Sequence, residues 1–135
     1  MAYTNDWTTD AGGYNVGRQI LDQVITMTRF INCATDNLGS GEYTKIFAVP
    51  AGFALLEAYV INHTAEGGDT LDIVDDDSST TVFVSNAALT AGAIGATNAR
   101  KTYASAGFIC IKPETALTTG KFSVVIQGIV HKTTW

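Results

Sequence analysis

The chain is short of charge and histidine, and each shortage removes a class of function. Of its 135 residues only 16% are Asp, Glu, Lys or Arg, and 13 acidic against 8 basic residues leave a net charge of −5. Phosphate recognition needs clustered Lys and Arg. Arg100-Lys101 is the one adjacent basic pair, so nucleic acid is not an expected partner. No run approaches the ~20 apolar residues of a bilayer span, and no membrane role is expected. The opening Met1-Ala2-Tyr3-Thr4-Asn5-Asp6-Trp7 is polar and acidic rather than basic and then apolar, unlike a secretory leader. The expectation is a chain made and assembled in a cytoplasm.

Catalytic and metal-binding groups are equally sparse. His63 and His131 are the two histidines, neither with Cys, His or carboxylate neighbours at ligand spacing, and strand-end or surface roles are expected for both. Cys33 and Cys110 lie far apart, which leaves two buried free thiols as the expectation and a disulfide as the alternative. There is no Gly-x-Ser-x-Gly elbow and no Gly-rich phosphate loop. A Ser-His-Asp triad needs no adjacency in sequence, but nothing here singles one out. The chain is read as a non-enzyme without a cofactor.

What is present is apolar and β-branched. Hydrophobic residues make up 46% of the chain, ample for the core of one domain of this length, which buries roughly two-thirds of its unfolded surface. With so little charge, much of the surface falls to Thr, Ser, Asn, Ala and Gly, the composition of a subunit whose faces meet other protein. A Gly-bearing turn feeding a long apolar strand occurs twice. Val49-Pro50-Ala51-Gly52 leads into residues 53–62, and Ala116-Leu117-Thr118-Thr119-Gly120 into residues 121–131. Short Thr- and Val-rich runs cut by Asp, Asn, Ser and Gly surround them, which is the pattern of an all-β fold: a small antiparallel β-sandwich or jelly roll of seven or eight strands, residues 19–135, preceded by an extended N-terminal arm, residues 1–18.

Individual segments carry more specific expectations. Residues 19–33 fit either a helical stripe (Val16, Ile20, Val24, Met27, Ile31) or a strand, and their Thr content and lack of an N-cap favour a strand from about Gln23. Strands are expected over 43–49 and 53–62. In the second, Ala54, Leu56, Ala58 and Val60 should share one face, and Phe53, Leu55, Glu57, Tyr59 and Ile61 the other. Residues 70–74 and 80–84 read as a hairpin. A short helical turn at 86–89, a strand pair or bent strand around Tyr103 and 107–112, and a final strand with Phe122, Val124, Ile126 and Val130 on one face complete the reading.

Two groups of residues stand out as candidate sites. Asp72, Asp75, Asp76 and Asp77 are a weak candidate set of oxygen ligands for Ca²⁺, because the spacing is not that of an EF-hand and a solvated hairpin tip is the favoured reading of the run. Tyr3, Trp7 and Tyr14, with Trp135 at the other end, are aromatics in segments without a core of their own. They suggest either an arm that contacts other protein or a first strand and loop covering the domain's own sheet.

Four motifs in order resemble the head decoration, or cement, proteins of tailed bacteriophages. They are Ile46-Phe47-Ala48-Val49-Pro50-Ala51-Gly52, Leu71-Asp72-Ile73-Val74-Asp75-Asp76-Asp77 before Thr81-Val82-Phe83-Val84, Ala88-Leu89-Thr90-Ala91-Gly92, and Ala116-Leu117-Thr118-Thr119-Gly120-Lys121. The resemblance covers roughly residues 43–130. It implies a noncatalytic trimer on the outer capsid surface that binds the major capsid protein and bridges neighbouring subunits, in a virion assembled in the host cytoplasm. The alternative is a carbohydrate- or receptor-binding sandwich from a tail fibre or lectin-like protein, motivated by the Tyr and Trp content.

Overall fold

A computed structural model describes residues 3–6, 14–15, 24–66, 69–76 and 81–130. Every regular element in them is a strand: β1 (Tyr3–Asp6), β2 (Tyr14–Asn15), β3 (Val24–Asn32), β4 (Tyr43–Val49), β5 (Phe53–Thr64), β6 (Thr70–Asp75), β7 (Val82–Ala88), β8 (Ile94–Gly95), β9 (Lys101–Thr102), β10 (Gly107–Pro113) and β11 (Lys121–Val130). They form two sheets. One has the order β1-β4-β10-β6-β7 with β2 also on β4, and the other the order β3-β11-β5-β8 with β9 also on β5. All pairings are antiparallel except those of β1 and β2, which run parallel to β4. The chain is the expected small β-sandwich. β10 lies between β4 and β6, and β11 between β3 and β5, so sequence neighbours repeatedly part company, as in Greek-key folds.

Facing residues of the two sheets form one core. Phe47, Leu71, Ile73, Phe83, Ile109 and Ile111 of the first sheet are buried with Ile31, Phe53, Leu55, Val60, Phe122 and Ile126 of the second. In β11 the alternation is regular and puts Phe122, Val124, Ile126 and Val130 inside, as the pattern of the sequence requires. Residues 24–32 are a strand, the expected choice over helix.

Three local readings are corrected. First, β5 does not alternate strictly. Phe53 and Leu55 are buried, and so are Ala58, Val60 and Asn62. The register to β11 shifts between Gln127↔Glu57 and Gly128↔Leu55. Leu56 is thus the extra residue of a β-bulge, and a bulge of one residue swaps the two faces beyond it. Arg100 Nε donates to the Leu56 carbonyl at 2.6 Å, satisfying a group that the bulge takes out of the ladder. Second, 86–89 holds no helical turn. β7 runs to Ala88, with Asn86 at φ +51° and its N–H donated to Asp72 Oδ1 at 2.6 Å. Asn is the non-glycine residue best suited to that left-handed conformation. Third, Tyr103 lies outside any strand, just after β9, bonded to Gly52 and Phe53 through its backbone.

The bulge makes a prediction. A Cβ on Gly128 would sit 2.5 Å from the Ala54 carbonyl oxygen and against the Phe53 ring. Backbone cannot yield as a side chain can, so Gly128→Ala should destabilise the fold by about 1–3 kcal/mol, the range for overpacking. Urea unfolding monitored by circular dichroism measures it, and an unchanged midpoint would mean that the bulge can slip.

Candidate functional site

The two Gly-bearing turns, alike in sequence, do different things. At Pro50-Ala51-Gly52-Phe53 the Phe53 N–H donates to the Pro50 carbonyl at 3.2 Å, and Gly52 has φ +88°. That is the third position of a type II turn, where L side chains are disfavoured. Gly120 is instead needed for space, because a Cβ there would meet the Glu66 carboxylate at 2.8 Å. Glu66, only 7% exposed, accepts from the N–H of Thr118 at 2.6 Å, the N–H of Thr119 at 2.8 Å and the Thr119 hydroxyl at 3.0 Å, and from the Gly120 N–H. Burial pushes its carboxyl upward, but the three backbone donors and the hydroxyl outweigh it and hold the group below its ordinary value. This carboxylate ties the loop after β5 to the turn that launches β11.

A second buried carboxylate closes the other end. Asp75, fully buried, pairs with Lys101 Nζ and accepts the Tyr103 hydroxyl at 3.1 Å. Asp75 ends β6 in the first sheet and Lys101 belongs to β9 in the second, so the pair joins the two layers. Burial, then the adjacent Asp75 charge, pushes the Tyr103 hydroxyl well above the usual tyrosine range. Neither carboxylate was singled out for this role from sequence. A lone Glu in a polar loop carries no signal. Asp75 carried one only in hindsight, at the inward parity of β6 together with Leu71 and Ile73.

The candidate Ca²⁺ residues do not gather. Strand alternation sends Asp75 inward, while Asp72 faces the other way and holds Asn86. Asp76 is half-buried, its carboxyl raised by burial and then by Asp75, and Asp77 lies outside the described residues. Among the described residues no three His, Cys, Asp or Glu side chains could share a metal ion. A cleft of ≈ 370 Å³ beside Asp72, Asn86, Lys112 and Glu114 has mixed charge and lacks the apolar lining usual in ligand pockets.

His63 Nε2 lies 3.0 Å from Ser123 Oγ on the outer face of the second sheet, and its ring packs against Phe30 with centroids 5.9 Å apart. His131 lies outside the described residues. Cys33 and Cys110 are both free and buried, which removes the disulfide alternative, and burial pushes the Cys33 thiol up to about 12. The one basic pair is spent on the fold. Arg100 holds the bulge and Glu57 (3.1 Å), and Lys101 holds Asp75.

Of the candidate contact aromatics, Trp7 and Trp135 lie outside the described residues. The backbone of Tyr3 and Tyr14 lies in β1 and β2, in register with Tyr43 and Phe47 of β4. On the outer face of the same sheet Lys45 Nζ sits 3.9 Å over the Phe108 ring and Lys112 Nζ 5.4 Å over the Tyr43 ring, so aliphatic stems and rings cover it rather than loose charges. Among the described residues no helix is long and apolar enough to cross a membrane.

No protein-family model matches the chain, and no curated protein matches its sequence. Its fold does match solved structures. A chain in the capsid of Ralstonia phage GP4 superposes with a TM-score of 0.65 at 16% identity, over 98% of this chain and 100% of that one. A chain of the cyanophage Pam1 capsid asymmetric unit superposes with a TM-score of 0.55 at 12% identity, over 80% of this chain and 84% of the other. At such identities the likeness is one of fold.

Proposed function

We propose that the chain is a structural virion protein: a capsid decoration, or cement, protein that binds the outer surface of a phage head and bridges its subunits. The observation that carries this reading is the end-to-end fold match to a chain of a phage capsid, 98% of this chain on 100% of that one. The matching subunit is therefore about as small as this one. A sandwich of this size is suited to add to a shell rather than to form the shell alone. The low charge, 16% of residues, supports the same reading, since subunit faces that meet other protein are poor in Lys, Glu and Asp. The partner is the major capsid protein, the state on the shell a homotrimer, and the mechanism buried area. Contacts of ~1,600 Å² repeated over a shell resist internal pressure without any one strong bond.

Residues 1–18 act in this reading as the arm, with Tyr3, Trp7 and Tyr14 as its contacts, joined by Trp135. Parallel pairing of two short segments on β4 is a modest hold, one that a capsid surface can reinforce. Removing residues 1–15 should therefore leave a folded sandwich with reduced affinity for capsids lacking the protein. Co-sedimentation measures it, with circular dichroism as the folding control. Unchanged affinity in the truncated chain would remove the arm from the interface. Failure of the intact chain to co-sediment would overturn the decoration reading itself.

A further inference from the structure

Edge strands expose unpaired backbone groups, and proteins blunt them with short strands, bulges or coverings. Three of the four sheet edges here are treated in that way. β4 is flanked by β1 and β2. The far edge of β5 is occupied almost throughout: β9 pairs with Ala54 and Leu55, Arg100 takes the Leu56 carbonyl, Thr97 bonds the N–H and carbonyl of Ala58, and β8 pairs with Val60 and Ile61. β7 is broken by two register shifts and the left-handed Asn86, and Asn98 and Ala99 donate to the Phe83 carbonyl. β3 differs. Its nine residues pair with β11 without a register shift, they include no Pro or Gly, and among the described residues no strand lies on their far side. The solvent face of this strand also carries two of the three large exposed hydrophobic residues among the described residues, Val24 (67% exposed) and Phe30 (54%).

We propose that β3 is an interface between copies of this chain, pairing antiparallel with β3 of a second copy across a two-fold axis to join their sheets. Full overlap of Val24–Asn32 with itself places the axis at Thr28. Thr28 then faces Thr28 of the second copy, Thr26 faces Phe30, Ile25 faces Ile31, Val24 faces Asn32, and Met27 faces Arg29. No like charges oppose one another, and each exposed Phe30 gains a cross-strand neighbour. A two-fold contact of this kind closes on itself and does not grow into a fibre. The choice of a second copy over a capsid strand rests on this self-complementarity. On the decoration reading, the same contact links neighbouring decoration units across the two-fold axes of a shell. The pairing is tested on the protein alone, so its failure and that of the decoration reading are separable.

Thr28→Lys puts two ammonium groups face to face at the axis, at an exposed position where the fold should tolerate it. Analytical ultracentrifugation of the full chain at up to about 1 mM should show an assembly whose mass Thr28→Lys halves. As a second variant, Thr28→Cys should form an intermolecular disulfide on mild oxidation while the native thiols stay buried and unreacted. Equal mass for wild type and Thr28→Lys, or a Thr28→Cys chain that stays uncrosslinked, would overturn the proposal.

Discussion

Asp75→Ala should lower the stability of the chain by about 3 kcal/mol or more, the low end of the range for breaking a buried ion pair by removing one partner. The low end applies because Lys101, left behind, is 25% exposed and can reach water. The loss is nonetheless large. Asp75 also receives the Tyr103 hydroxyl and the Asp76 N–H, and an unsatisfied buried donor costs roughly 1–3 kcal/mol. Against a typical domain stability of about 5–15 kcal/mol, the melting temperature should fall by on the order of 10 °C. Tyr103→Phe removes one hydrogen bond and leaves the ion pair, so about 1 kcal/mol is expected from it. Urea denaturation of the two variants separates the contributions. Equal losses would place the stabilisation in Tyr103 rather than in the link between sheets.

Glu66→Gln is the second large effect, with an expected loss of about 2–3 kcal/mol. The amide keeps one oxygen but turns an NH₂ group toward backbone donors, and hydrogen bonds to a charged acceptor are worth roughly 1.5–3 kcal/mol. The variant also carries a pH signature. The folded-state carboxyl of Glu66 lies below its ordinary value of 4.5, so the unfolded chain binds that proton more tightly. The stabilisation is therefore complete above about pH 4.5 and is lost as pH falls through the folded value. Asp76 works in the opposite sense. Its carboxyl is raised by burial and by Asp75, so protonation relieves a cost as the solution is acidified. Asp76 is common to both proteins, so the wild-type advantage over Glu66→Gln should follow Glu66 alone and shrink as the pH falls below its ordinary value of 4.5. A difference that does not change with pH would mean that the carboxylate charge is not what holds residues 118–120.

The fold was legible because its signals are periodic. Thr- and Val-rich runs between turn residues marked β3 through β7 and the last two strands, and strict alternation in 121–130 identified the buried face of β11. The same rule failed in β5, where one extra residue at Leu56 exchanges the faces. Nothing local announces a bulge whose close-packed partner across the ladder, Gly128, is 72 positions from Leu56. The two-residue strands β8 and β9 were invisible for a related reason: they exist only as coverings for the edge of β5. The carboxylates that fasten the ends of the sandwich were hidden because their partners, Thr118–Gly120 for Glu66 and Lys101 and Tyr103 for Asp75, come together only after the sheets pack. The candidate calcium ligands divide, among the described residues, into an inward anchor, Asp75, an outward clamp on Asn86, Asp72, and a half-buried neighbour, Asp76.

A cryo-electron microscopy difference map tests the central claim most directly. If the proposed function is right, phage capsids assembled without the chain can be compared before and after its addition. Added density of sandwich size is expected on the outer surface, at one class of symmetry position and across the joints between capsid subunits. Unchanged capsids in the presence of excess folded protein would contradict it.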